Sequence, residues 1–404
     1  MSAKGEVVRV PGRLQELTPN SRAEDELILL SAGTAARRRA LAARGDQLIE
    51  GLDWQHLSGT LRRRRLLPTL GPRIIEIADG NASEDFCAAV GHALETGRRH
   101  GAFLQLVALR AIAMLADAGV CSIALKGPLL GEALYGDPGR RCSSDVDLLV
   151  SPEQLPRAVE VIRSLGYKAP ADYVDDRGLP LLHCMLVHER QELPPVELHW
   201  RVHWYEERFA HERLLPPAGD LPGDWHPALA DEFVALLLFY ARDGFVDLRL
   251  ASDLGAWWDR HGTEMRPHDL KELLRAYPAL ARPVATAIQV AENVVGLHAT
   301  PVIQEIPQLG LRGRAAVRLA NPNPHASRAQ LYADVGFIDG LLTPRGGFGA
   351  FLRRQVLLPR EVYDDYSGRA PEWRAKSPLD FGARVLARYV ISATRTVRSP
   401  EVLR

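Results

Sequence analysis

Cysteine is scarce: the 404 residues hold only Cys87, Cys121, Cys142 and Cys184, far apart and with no Cys-x-x-Cys pair. That excludes a disulfide framework and a cysteine-based zinc site, and it points to a reducing compartment. Net charge is also missing, because 50 Lys and Arg balance 50 Asp and Glu. A dedicated nucleic-acid binder carries a basic footprint, so this balance argues against a nucleic-acid partner. Uninterrupted apolar runs are short. The run Phe233 to Ala241 falls well below the roughly 20 residues that span a bilayer, and Met1 to Gly12 is polar, without the apolar segment of a secretion signal. The expectation from these absences is a cytoplasmic protein with no membrane partner. No internal repeat stands out.

What is present is ordinary globular material, 46% hydrophobic and 25% charged, enough for two or three cores. Within it, Leu125 to Val150 is the most informative stretch. A glycine turn at Gly127 precedes a helical pattern from Pro128 to Tyr135, and the chain returns as a strand, Asp145-Val-Asp-Leu-Leu-Val150. In a strand, residues two apart share a face, so Asp145 and Asp147 project together while Val146 and Leu148 turn to a core. Adjacent carboxylates repel, and a hard divalent cation such as Mg²⁺ compensates them.

An acid-apolar-acid triplet on a solvated strand is common, and the second strand gives this one its weight. Val196 to Trp204 alternates without a break, with Val196, Leu198, Trp200, Val202 and Trp204 on one face and Glu197, His199, Arg201 and His203 on the other. If the two strands pair, Glu197 becomes a third carboxylate beside the first two.

These elements resemble the DNA polymerase β-like nucleotidyltransferase superfamily, and most closely its uncharacterised bacterial branch. The likeness rests on Leu125-Lys126-Gly127, Tyr135, Arg141, the run Asp145 to Val150, and Glu197 to Trp200. It implies an α/β (α+β) fold: a small mixed-sheet nucleotidyltransferase core flanked by N- and C-terminal helical regions. It further implies Mg²⁺, with Mn²⁺ as the alternative ion, held by Asp145, Asp147 and Glu197, and nucleotide contacts from Lys126, Gly127, Arg141 and Ser144. His199 is assigned to orienting or relaying a proton, and Asp253 to a helix beside the cleft. One departure matters. Better-studied branches have Gly or Ser after the turn glycine, where this chain has Pro128. Proline suits the first turn of a helix but donates no hydrogen bond. Lys126 could supply charge to a phosphate instead, and a helix N-terminus itself favours anions.

Around this core the periodicity is helical. The expected organisation is a helical region over 1–118, the core over 119–215, a helical domain over 224–300 and a mostly helical region over 301–404. Helices are expected over Ala23–Ala43, Asp46–Leu66, Ser83–Ala118, Ala228–Arg242, Leu248–His261, Pro267–Ala276, Ala281–Val295, His325–Leu342 and Pro378–Val397. Ser151, with Pro152 after it, reads as the cap of a helix ending at Gly166. Leu181 to Glu189 reads as a strand. The Pro/Gly-rich segment Pro216–Gly223 is the clearest boundary, and Leu357 to Arg360 with Tyr363 and Tyr366 is similar to the same branch.

Other features weigh less. The run Arg62 to Arg65 reads as a solvated helix face, with Leu57, Leu61, Leu66 and Leu67 on the buried side. Ser143 and Ser144 lack a nucleophile elbow and read as turn residues. His183, His188, His199 and His203 cluster around the last two strands; histidine ligation of zinc is set below a proton-relay role because no cysteine joins them. Trp257 and Trp258 read as core. The resulting expectation is transfer of a nucleoside monophosphate from an NTP, ATP by default, to a peptide, sugar or small-molecule acceptor. Two alternatives stay open: a non-catalytic nucleotide- or peptide-binding pseudoenzyme, and phosphotransfer to a peptide or metabolite.

Overall fold

The computed structural model describes residues 19–42, 45–170, 175–176, 179–190, 192–206, 208–216, 226–297, 303, 306, 308–320, 328–344, 346–357 and 375–398. The expected boundary segment, apart from Pro216, and the segment 358–366 lie outside the described residues.

The mixed α+β architecture is present. The N-terminal helices are α1 (Pro19–Ala32), α2 (Ala35–Ala42), α3 (Gly45–Ile49), α4 (Trp54–Arg63), α5 (Leu67–Ala78) and α6 (Glu84–Asp117). The core runs β1 (Ser122–Ala124), α7 (Pro128–Tyr135), β2 (Val146–Val150), α8 (Leu155–Ser164), β3 (Tyr167–Lys168), β4 (Asp175–Asp176), β5 (Leu179–Pro180), β6 (His183–His188) and β7 (Val196–His199). Then come α9 (Leu229–Arg242), α10 (Leu248–His261), α11 (Pro267–Ala276), α12 (Ala281–Val295), α13 (Leu311–Leu319), α14 (Arg328–Leu342), α15 (Phe348–Gln355) and α16 (Pro378–Arg398).

Several boundaries differ from the periodic reading, each for a local reason. The pattern 23–43 breaks between α1 and α2 because Gly33 passes within 3.0 Å of the Val295 carbonyl, measured from where a Cβ would sit. There the Thr34 N–H donates to Val295 O, and Asp259 caps Ala35 N–H at 2.9 Å. The pattern 46–66 likewise splits, with Asp53 capping α4 through His56 N–H. Ser151 caps a turn, accepting from Gln154 N–H at 3.3 Å, and α8 starts only at Leu155. The strand expected to reach Trp204 stops at His199. The Glu206 carboxylate takes the Val202 N–H at 2.7 Å and pulls the chain into a turn, while Trp200 and Val202 stay buried without a sheet.

Five strands form one sheet in the order β1-β2-β7-β6-β3. The β2–β7 pair is parallel and the other pairs are antiparallel. Val146, Leu148 and Val150 on one face join Leu104, Ala108 and Leu115 of α6 and Val159 and Ile162 of α8 in one core. Leu149 points the other way, into a larger core that draws on α1, α4, α5, α9, α10 and α12. The helices before and after the sheet therefore share one apolar interior, and Trp257 and Trp258 lie inside it. Among the described residues, α6 is long and apolar enough to cross a membrane by length and composition alone. Polar residues interrupt its apolar stretch, and it packs along the sheet through Leu104, Ala108 and Leu115.

Candidate functional site

The site begins at the turn between β1 and α7. Leu125 N–H donates to the Asp147 carbonyl at 3.1 Å, which ties the turn to β2. Gly127 has φ 84° and ψ −155°, a region open essentially to glycine alone. Pro128 follows at the first helical position, where its missing N–H leaves no gap. Lys126, held between them, reaches back so that Nζ lies 2.9 Å from Asp147 Oδ1 and 5.0 Å from the Phe239 ring centre.

The β2–β7 register sets Asp147 opposite Glu197 and Leu149 opposite His199. The alternation of both strands therefore stacks Asp147, Glu197 and His199 on the face turned toward the helical core. Asp145 stands just before β2 and feels both other acids. Burial, then the charges of Asp147 and Glu197, raise its carboxyl above the usual range, with Lys126 opposing. Asp147 goes the other way. Its burial would raise it, but the hydrogen bond from His199 and the charge of Lys126 outweigh that and hold it well below the carboxylate range. Glu197 is also lowered, its burial outweighed by a bond from His199 and the nearness of His183. The three acids expected from the sequence are thus brought together.

His199 is fully buried, with Nε2 2.9 Å from Asp147 Oδ1 and 3.3 Å from Glu197 Oε2. Across the strand pair stands His183, which the sequence did not distinguish from the other histidines; only the β6–β7 register, His183 opposite His199, singles it out. Its Nε2 lies 3.6 Å from Glu197 Oε2 and its ring centre 4.6 Å from that of His199. Burial, reinforced by His199, pushes His183 down to about 4, so it is neutral at neutral pH.

Arg141 pairs with a fourth acid, Asp253. Its Nε bonds Asp253 Oδ2 at 2.9 Å and its Nη1 bonds Ser143 Oγ at 3.1 Å, while Tyr135 donates to Asp253 Oδ1 at 2.9 Å. Asp253 is fully buried rather than solvent-facing, and this network fixes the chain leading into Asp145. Ser144 is exposed in that turn, and Arg65 reaches its Oγ at 3.5 Å. The arginine run is otherwise the solvated face expected, with Arg62, Arg63 and Arg65 exposed.

Two further groups have no signature in the sequence. Phe239 is buried beneath Lys126, and Arg242 one turn on stands 5.1 Å from the same ring. Arg242 Nη1 is buried and has no hydrogen-bond partner among the described residues, an arrangement that suits an incoming anion. A cavity of about 480 Å³ between α12 and α13, with Gln289, Glu292, Asn293 and Arg314 in its wall, shares no lining residue with the acids.

Chemically, the face offers three converging carboxylates, a lysine and two imidazoles. Such a set binds divalent cations and positions phosphate. A family described as uncharacterised nucleotidyltransferase matches residues 50–296, a span that includes every residue of this face. Comparison with curated proteins and with solved structures finds no match.

Proposed function

The chain belongs to this nucleotidyltransferase family, and from that premise we propose that it transfers a nucleoside monophosphate from an NTP, ATP by default, to a peptide, sugar or small-molecule acceptor. The observation that carries the reading is the register: Asp147 and Glu197 sit opposite one another on parallel strands, with Asp145 electrostatically coupled to both. The residues fit a divalent cation, because Asp147 Oδ1 already draws the Lys126 ammonium, and His199 Nε2 lies at the same oxygen, each at 2.9 Å. Mg²⁺ there, or Mn²⁺ in its place, would supply Lewis acidity to the triphosphate and lower the pKa of the acceptor hydroxyl.

The chain's own groups do the rest. Asp145 and Asp147 hold the metal-bound triphosphate, and Glu197 faces the acceptor side. Lys126 offsets charge on the phosphates as the acceptor oxygen bonds to the α-phosphorus and pyrophosphate leaves. Gly127 lets the backbone approach the phosphates, with the N-terminus of α7 behind it. Ser144 stands exposed in the turn that leads into Asp145. Arg141 and Asp253 position the strand entry.

The test is incubation of the protein with each NTP, Mg²⁺ and a cell extract, using α- and γ-labelled nucleotides in parallel and mass spectrometry of the products. A nucleoside-monophosphate adduct supports the reading. Transfer of the γ-label alone replaces it with phosphotransfer, and the absence of any adduct replaces it with a pseudoenzyme.

A further inference from the structure

We propose that His183, Glu197 and His199, with Asp147 adjoining, form a site for a divalent transition cation of the zinc class, distinct in its ligand chemistry from the all-oxygen position at Asp145 and Asp147. The proposal rests on the reading above only in placing Glu197 at the acceptor side; the cation site itself stands on geometry.

The ligating atoms of His183, Glu197 and His199 lie within 4.8 Å of one another. Around a tetrahedral zinc ion, bonds of about 2.0 to 2.2 Å place neighbouring ligand atoms roughly 3.3 to 3.6 Å apart. The separations of Glu197 Oε2 from His199 Nε2 and from His183 Nε2 are 3.3 and 3.6 Å. Asp147 Oδ1, 2.9 Å from His199 Nε2, offers a fourth ligand atom, the second oxygen of the set. Strand pairing fixes all of these positions, because His183 faces His199 across one ladder and Glu197 faces Asp147 across the next. The backbone therefore needs no movement, and a small turn of the partly exposed His183 ring closes the set.

Neither imidazole is committed elsewhere. Nδ1 of both rings is buried without a hydrogen-bond partner among the described residues, and His199 is itself fully buried. A fully buried imidazole with one nitrogen unpaired is costly as core packing, and the other nitrogen of His199 already faces the two carboxylate oxygens that would share a cation with it. The choice of ion follows from the donors. Mg²⁺ takes oxygen ligands and keeps its waters, whereas imidazole nitrogen favours zinc and its first-row neighbours. An acceptor bound near Glu197 would then meet a nitrogen-ligated cation while the triphosphate keeps an oxygen-ligated one.

The 404-residue chain is dialysed against Zn²⁺, and separately Co²⁺, in excess Mg²⁺ that saturates the all-oxygen position. One equivalent of Zn²⁺ is expected, with visible Co²⁺ absorption bands of nitrogen-containing coordination. His183→Ala should weaken Zn²⁺ binding at least tenfold, and His183→Gln, which keeps a polar side chain on the strand, should do the same with an unchanged circular dichroism spectrum. Asp145→Asn should keep Zn²⁺ binding while abolishing transfer. No stoichiometric Zn²⁺ in excess Mg²⁺, or binding unaltered by both His183 variants, overturns the site even if monophosphate transfer is observed. Zn²⁺ bound as described without transfer from any NTP leaves the site standing and removes the transferase reading instead.

Discussion

Arg141 and Asp253, 112 residues apart in the chain, meet in a buried ion pair with 2.9 Å between Nε and Oδ2. The pair pins α10 to the turn that delivers Asp145, and Tyr135 of α7 occupies the second carboxylate oxygen. Three elements around the acids are thereby fastened to a single carboxylate.

Breaking that pair should be expensive. Asp253→Asn leaves a buried guanidinium without its counter-charge, and a loss of about 3 to 5 kcal/mol is expected in urea unfolding. The double variant Arg141→Met with Asp253→Leu should recover part of that loss, since neither charge is then stranded. A loss under 1 kcal/mol in the single variant would show that the pair contributes little.

The two aspartates should separate in stability while agreeing in activity. Asp145→Asn and Asp147→Asn should each abolish monophosphate transfer. In metal-free buffer, however, Asp145→Asn should hold or raise the melting temperature, because burial and then the neighbouring like charges oppose its ionisation. Asp147→Asn should lower it, because Lys126 and His199 lose their shared acceptor. Differential scanning fluorimetry beside a labelled-transfer assay reads both, and equal melting shifts would sink the distinction.

Lys126→Ala should weaken triphosphate binding more than monophosphate binding, by roughly 1.5 to 3 kcal/mol for one charge-assisted contact. Calorimetric titration with the two nucleotides in Mg²⁺ measures the difference. Equal losses would assign the lysine to holding Asp147 rather than phosphate.

At Gly127 a Cβ would meet only Ser143 Oγ, at 4.0 Å, so space is available and the backbone alone objects. Gly127→Ala should cost about 1 to 3 kcal/mol from its φ and ψ. Unchanged stability in chemical unfolding would mean that the turn relaxes to another conformation.

His203 supplies a pH dependence away from the acids. Burial, then the charges of Arg242 and Arg354, push it from 6.5 down to about 3. Above 6.5 the ring is neutral folded or unfolded and costs nothing. As pH falls from 6.5 toward 3 the unfolded chain takes up a proton that the folded one refuses, so stability declines through that window. The melting temperature should fall between pH 7.5 and 5, and His203→Gln should flatten that fall. An identical slope in the variant would assign the loss to other groups.

Much of the site was legible because β-strand geometry is short-range. Alternation alone put Asp145 with Asp147 and Glu197 with His199, and periodicity placed the helices from Leu248 to Val295. What was not legible depends on partners distant in the chain. His183 matters through the register of β6 on β7, Arg242 through the Phe239 ring it shares with Lys126, and Arg141 through Asp253. The alternation past His199 misled because burial continues through Trp200 and Val202 after a carboxylate has replaced the strand partner.

The seam between β2 and β7 is also a point of control over folding. Its strands are parallel, so Asp147 and His199 come together from 52 residues apart with no tight hairpin to hold the pairing, and carboxylates face each other across it. Lys126 acts there as a built-in counter-ion, and His199 as a neighbour that reaches both carboxylates. A cation bound across the seam would bridge the two strands noncovalently and favour the folded state by mass action. Amide exchange along β2 and β7 would then slow as the ion binds, so that the part of the sheet which bears the acids would also sense whether the protein is loaded.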